Sequence, residues 1–144
     1  WQGWLSYTYQ KAKSNRADLG LFGDMFYTSW DQTQTLALVS DYRSGRCAHT
    51  LRADLGSGRA DSALYDPTLQ QRAEPYVVVS YNLSVGLGKN PASGQSLYLG
   101  IANLFNSRQT LQYRWAPDGS GGYTRLRDSW VPSRFISFGF SKAY

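Results

Sequence analysis

Cysteine occurs once, at Cys47, so no disulfide can form within the chain. Histidine also occurs once, at His49, which excludes a site built on several histidine ligands. Glutamate is confined to Glu74 and lysine is scarce, so strong helix formers are thin. Mean hydropathy is −0.46. No apolar run approaches the roughly 18 residues that mark a membrane-crossing helix. Strands remain a possible means of crossing, because a barrel strand alternates apolar and polar residues and averages out as polar. The net charge is +5, from 15 Lys+Arg against 10 Asp+Glu, and no basic run or stripe gathers it. That scatter argues against a nucleic-acid partner. No signal stretch is visible and the sequence begins at Trp1, so the expectation is a processed protein or a piece of a larger one.

What the sequence has in quantity is aromatic residues, 15% of the total, with 11 Tyr and 5 Trp. Together with Val and Thr they favour strands. The last eleven residues, RFISFGFSKAY, set Ile136, Phe138, Phe140, Lys142 and Tyr144 on one parity. Phe135, Ser137, Gly139, Ser141 and Ala143 take the other. Side chains in a strand alternate faces, so this segment has one greasy face and one mostly small, polar face. A soluble sandwich or barrel strand satisfies that pattern. So does a lipid-facing strand of an outer-membrane barrel, which needs about 9–11 residues to cross.

The same alternation recurs in residues 1–12, 33–43, 46–56, 76–87 and 96–103. The fourth of these is the clearest. Val77, Val79, Tyr81, Leu83, Val85 and Leu87 oppose Val78, Ser80, Asn82, Ser84 and Gly86. Arg52 and Asp54 share one strand face with Thr50, a costly set in a dry core and a natural one beside water. Ser44-Gly45 reads as a tight hairpin turn, and residues 88–94 as a short one. The other three connections are long: residues 13–31 read as irregular, 57–75 as polar and turn-rich, and 106–133, the longest, as rich in Gly, Arg and aromatics. The first carries Phe22, Phe26, Tyr27 and Trp30, which suit loop packing, a membrane interface or a ligand-facing surface.

The expected fold is therefore all-β: an antiparallel up-and-down meander of about six strands. Long and short connections alternate, and Trp1, Trp4, Tyr42, Tyr76, Trp130 and Tyr144 gather near strand ends. Both regularities suit an outer-membrane barrel. Six strands cannot close one, because single-chain barrels start at about 8. The meander is then expected to be an open segment of a larger transmembrane β-barrel, with the alternative that several copies close one together.

The motif order resembles the C-terminal barrel portion of TonB-dependent outer-membrane receptors. The matching pieces are YTYQ at residues 7–10, WDQTQTL at 30–36, GSGR at 56–59, PYVVVSYNLSV at 75–85, ANLFN at 102–106 and the aromatic-ended last strand. Gln34 stands where the family often has His, and the final residue is Tyr rather than Phe. The resemblance implies the last quarter of a receptor whose barrel has about 22 strands, its plug domain and earlier strands lying outside these residues. It implies a bacterial outer-membrane location and uptake of scarce solutes such as iron–siderophores, energised through TonB. The TonB complex would be met by the missing N-terminal region. The barrel assembly machinery would read the terminal strand at Ile136, Phe138, Phe140 and Tyr144, which strand addition can capture.

The third long connection is the binding candidate. Arg108, Tyr113, Arg114, Trp115, Tyr123, Arg125, Arg127 and Trp130 mix guanidinium and aromatic groups. Arginine pairs bidentately with carboxylates and phosphates, and aromatics stack on flat ligands, so an anionic chelate fits. Anionic outer-leaflet lipid fits the same residues. Catalytic and metal constellations are lacking: His49 shares the parity of Leu51 and Leu55 rather than of a polar cluster, and Cys47 goes with it. GLGK at residues 86–89 lacks the rest of a phosphate loop. No cofactor is expected. Two competing readings stay open, a small outer-membrane barrel enzyme and a soluble lipocalin-like binding barrel.

Overall fold

A computed structural model describes residues 1–16, 21–61, 70–88 and 94–142, the side chains at 15, 16 and 21–25 excepted. It is all-β. The strands are β1 (Gln2–Tyr9), β2 (Lys13–Arg16), β3 (Leu21–Tyr27), β4 (Gln34–Ser44), β5 (Cys47–Gly56), β6 (Tyr76–Gly86), β7 (Gln95–Ala102), β8 (Thr110–Pro117), β9 (Tyr123–Trp130) and β10 (Phe135–Lys142). Six of them form one antiparallel sheet in the order β1-β4-β5-β6-β7-β10. These are the six segments that alternate in sequence, taken in chain order.

The remaining strands correct the reading of the first and third long connections. β2 pairs with β3, and β8 with β9, as two separate hairpins. Bulges conceal them. The register of β8 against β9 slips at Leu111 and again at Asp128, so neither strand keeps one phase of alternation. The register of β2 slips between Asn15 and Arg16. At the other end of the sheet, Gly45 turns the β4–β5 hairpin at φ 57°, a left-handed conformation that favours glycine.

Cross-strand register joins the alternating positions into two continuous faces. Phe138 pairs with Leu99, Leu99 with Leu83, Leu83 with His49, and His49 with Tyr42. A row nearer the long connections runs Tyr7, Leu36, Leu55, Val77. All of these lie on one apolar face. The opposite face carries Trp4, Val39, Arg52, Ser80, and further along Gly100 and Ser137. One ion pair is made within the face, Arg52 gripping Asp54 through two hydrogen bonds of 2.7 and 2.8 Å, and the Thr50 hydroxyl donates to Asp41 at 2.5 Å.

The apolar face is left uncovered. Leu5, Leu38, Leu51, Leu97 and Ile136 are exposed, and Phe138 is 85% exposed. Burial lies elsewhere. Registers put all three long connections at one end of the sheet and both short turns at the other. Phe26, Ala60, Ala73, Asn103, Thr110 and Val131 are buried in the long connections or at their junctions with strands, and Val39 is buried on the opposite sheet face. The sheet is open, with β1 and β10 as its edges.

Candidate functional site

The end of the sheet that carries the long connections is tied together by polar contacts. Asp31, in the turn between β3 and β4, is fully buried and pairs with Arg72. Its carboxylate also accepts the Ala12 N–H at 2.5 Å. Asp61 is fully buried as well and takes a two-pronged grip from Arg125 on β9, at 2.9 and 3.1 Å. Each guanidinium stacks on a tyrosine: Arg72 lies 4.6 Å from the ring centre of Tyr27, and Arg125 lies 3.8 Å from that of Tyr113. The two units join where Arg125 donates to the Arg72 carbonyl at 3.2 Å. Burying a carboxylate is tolerable only when it is paired and hydrogen-bonded, and both of these are.

Backbone bonds complete the tie. Ala60 N–H donates to the Asp31 carbonyl at 3.1 Å, and Arg59 N–H to that of Leu111 at 3.3 Å. The side-chain carboxamide of Gln70 accepts from Tyr27 N–H at 2.9 Å and donates to the Tyr27 and Asp61 carbonyls at 2.6 and 3.0 Å. Gln32 donates to the Ser57 carbonyl at 2.9 Å and to the Tyr76 hydroxyl at 3.1 Å. Gly58 is required by close approach, since a Cβ there would strike the Ala73 carbonyl. Asn103, at φ 51°, donates to the carbonyls of Ser107 and Pro132 at 2.9 and 2.7 Å and accepts from Ser107 N–H at 2.9 Å. Asn106, at φ 53°, accepts from Arg134 N–H at 3.0 Å. The segments WDQTQTL, GSGR and ANLFN thus each supply side chains or close backbone to this knot.

On the β8–β9 hairpin, cross-strand pairing sets Tyr113, Trp115, Tyr123, Arg125 and Arg127 on one face. Arg114 lies on the other and meets Asp128 at 3.4 Å. Arg125 is engaged with Asp61 and Tyr113, so its first role is to hold the hairpin down. Arg108, Arg127 and Trp130 come together at the hairpin base, where with Val131 and Ser133 they line an open recess of about 470 Å³. Neither Arg108 nor Arg127 has a carboxylate partner among the described residues. At the hairpin tip, hydrogen bonding from the Ser120 hydroxyl at 2.7 Å, then from the N–H groups of Ser120 and Gly122, holds the Asp118 carboxyl below its usual range.

The aromatic first connection divides. Phe26 is 2% exposed and Tyr27 carries Arg72, with Lys13 also over its ring at 4.7 Å, while Trp30 is exposed. The side chain of Phe22 lies outside the described residues. On the terminal strand, Ile136, Phe138 and Phe140 share the apolar face and are exposed, opposite Ile101, Leu99 and Leu97. Tyr144 lies outside the described residues, as does Lys89 of the GLGK segment. His49 bonds the Tyr81 hydroxyl through Nδ1 at 2.7 Å and sits between the rings of Tyr42 and Tyr81. Among the described residues, no three His, Cys, Asp or Glu side chains are grouped to hold a metal.

Sequence reasoning missed the two aspartates at the heart of the knot. An aspartate in a long connection ordinarily meets water, and nothing local marks Asp31 or Asp61 as buried. The available signal was the surplus of arginine in the same connections, which offers each acid a partner. No protein-family model matches the sequence, and neither a curated protein nor a solved structure matches it.

Proposed function

We propose that these residues are a segment of an outer-membrane β-barrel belonging to an active-transport receptor for scarce solutes such as iron–siderophores, energised through TonB. The observation that carries the reading is the inverted distribution of polarity. A largely apolar sheet face stands uncovered, with Lys142 at its short-turn margin, while the opposite face and the long-connection end hold the paired charges. Hydrocarbon is the solvent such a face suits, and a hydrated interior suits the other. An open sheet with two edges cannot sit in a bilayer, where every backbone group needs a partner. Further strands must therefore pair with β1 and β10 to complete the cylinder.

In this reading the long connections form the extracellular rim. The β8–β9 hairpin offers its arginines and aromatics to solute, and the terminal strand is handed to the barrel assembly machinery through Ile136, Phe138 and Phe140. The order of the WDQTQTL, GSGR and ANLFN segments supports the receptor assignment. Growth under iron limitation tests it. A strain carrying the gene is expected to lose uptake of its solute when either this gene or TonB is deleted, with the product resisting carbonate extraction from outer membranes. Uptake that persists without TonB would refute the energised-receptor reading, and release of the product by carbonate would refute membrane insertion.

A further inference from the structure

From the base of the β8–β9 hairpin we infer a small-anion site: Arg108, Arg127 and Trp130 bind a carboxylate or phosphate carried beside a flat apolar group. The inference deepens the receptor reading and rests on it for the idea that a solute is held at the rim; the geometry of the recess is independent of it. Four arginines with described ion pairs, Arg52, Arg72, Arg114 and Arg125, each meet an aspartate. Arg43, Arg46, Arg59, Arg108, Arg127 and Arg134 have none among the described residues, and of these Arg108 and Arg127 line one recess of about 470 Å³, a volume suited to a small ligand. Two arginines lining one recess, with no carboxylate partner among the described residues, leave it positively charged, and the planar fork of each suits a carboxylate or phosphate.

The rest of the lining completes the chemistry. Trp130, 61% exposed, and Ser133 line the recess, with Val131, 2% exposed, as a fixed apolar part of its wall.

Benzoate is the probe, with neutral benzamide as its control and inorganic phosphate as the second anion. Calorimetry is run on the complete barrel that carries these residues, in phosphatidylcholine nanodiscs. Saturable binding of benzoate and phosphate is expected, with none of benzamide. Arg108→Gln and Arg127→Gln should each weaken it by about tenfold or more, because a charge-assisted hydrogen bond is lost. Trp130→Ala should weaken benzoate and spare phosphate. Arg43→Gln, at the short-turn end of the sheet, should leave both unchanged. Repeating the titration in phosphatidylglycerol nanodiscs separates the sources of the anion. Weakened benzoate binding there means that a lipid headgroup takes the same site, and unchanged binding means that the soluble anion has it alone. No saturable binding of either anion, or binding unaltered in both arginine variants, overturns the inference. Carbonate extraction, read in parallel, keeps the two proposals apart. An inserted chain that binds no anion loses only the site, and an extractable chain that binds it loses only the membrane reading.

Discussion

The apolar sheet face and the knot of long connections reverse the usual arrangement. Phe138, 85% exposed, stands on the open face, while Asp31 and Asp61 are fully buried. In water, covering a large apolar side chain stabilises by about 1.5–3 kcal/mol, and burying an unpaired carboxylate costs more than that. The sheet face forgoes the first gain at position after position. The knot escapes the second cost only because each aspartate has its own arginine. The contrast is what the proposed membrane reading has to explain: on that reading the face meets an apolar medium, and the knot makes its own polar one.

The largest expected effect comes from breaking the knot. Arg125→Met leaves Asp61 buried without its partner and should cost about 3–5 kcal/mol in lipid-vesicle unfolding, with the β8–β9 hairpin coming loose first in hydrogen exchange. A double variant that also carries Asp61→Asn should recover part of the loss, because the uncompensated charge is gone. A smaller effect is expected on the sheet, and it depends on the face. Leu83→Lys should cost about 2–4 kcal/mol in a bilayer. Asn82→Lys, one residue away on the opposite face, should stay within about 0.5 kcal/mol. Equal costs at the two positions would remove the distinction between the faces.

Much of this contrast was legible in the sequence. Val77, Val79, Tyr81, Leu83 and Val85 alternate without interruption, so both the strand and its face could be read from period two alone, and cross-strand pairing then carried the same parity to the neighbours. The hairpins were not legible, because the extra residues at Leu111 and Asp128 break the phase of β8 against β9. Nor was the double use of the arginines. Arg125 and Arg127 are two residues apart on one face, yet one clasps a buried acid and the other lines an open recess. Only the fold brings Asp61 to the first and not to the second.

Two further effects refine the knot. Asn103→Ala removes three hydrogen bonds at a left-handed residue joining β7 to the third connection and should cost about 1–3 kcal/mol. The smallest effect belongs to Asp118 at the exposed hairpin tip. Its folded carboxyl titrates below the usual value, so its contribution is complete above the unfolded carboxylate range and fades as pH falls through the lowered folded value. The amide resonances of Ser120 and Gly122 should therefore hold steady near neutrality and move only in acid, with the global unfolding midpoint unaffected by Asp118→Asn.

Site-directed spin labelling along β6 tests the central claim most directly. With Cys47→Ser as background, single cysteines are introduced from Val77 to Val85 and labelled in lipid vesicles. The account predicts a two-residue period, with oxygen collisions high at 77, 79, 81, 83 and 85 and collisions with a water-soluble nickel chelate high at 78, 80, 82 and 84. If instead the odd positions are shielded from both reagents, the apolar face packs into a dry protein core and the account is wrong.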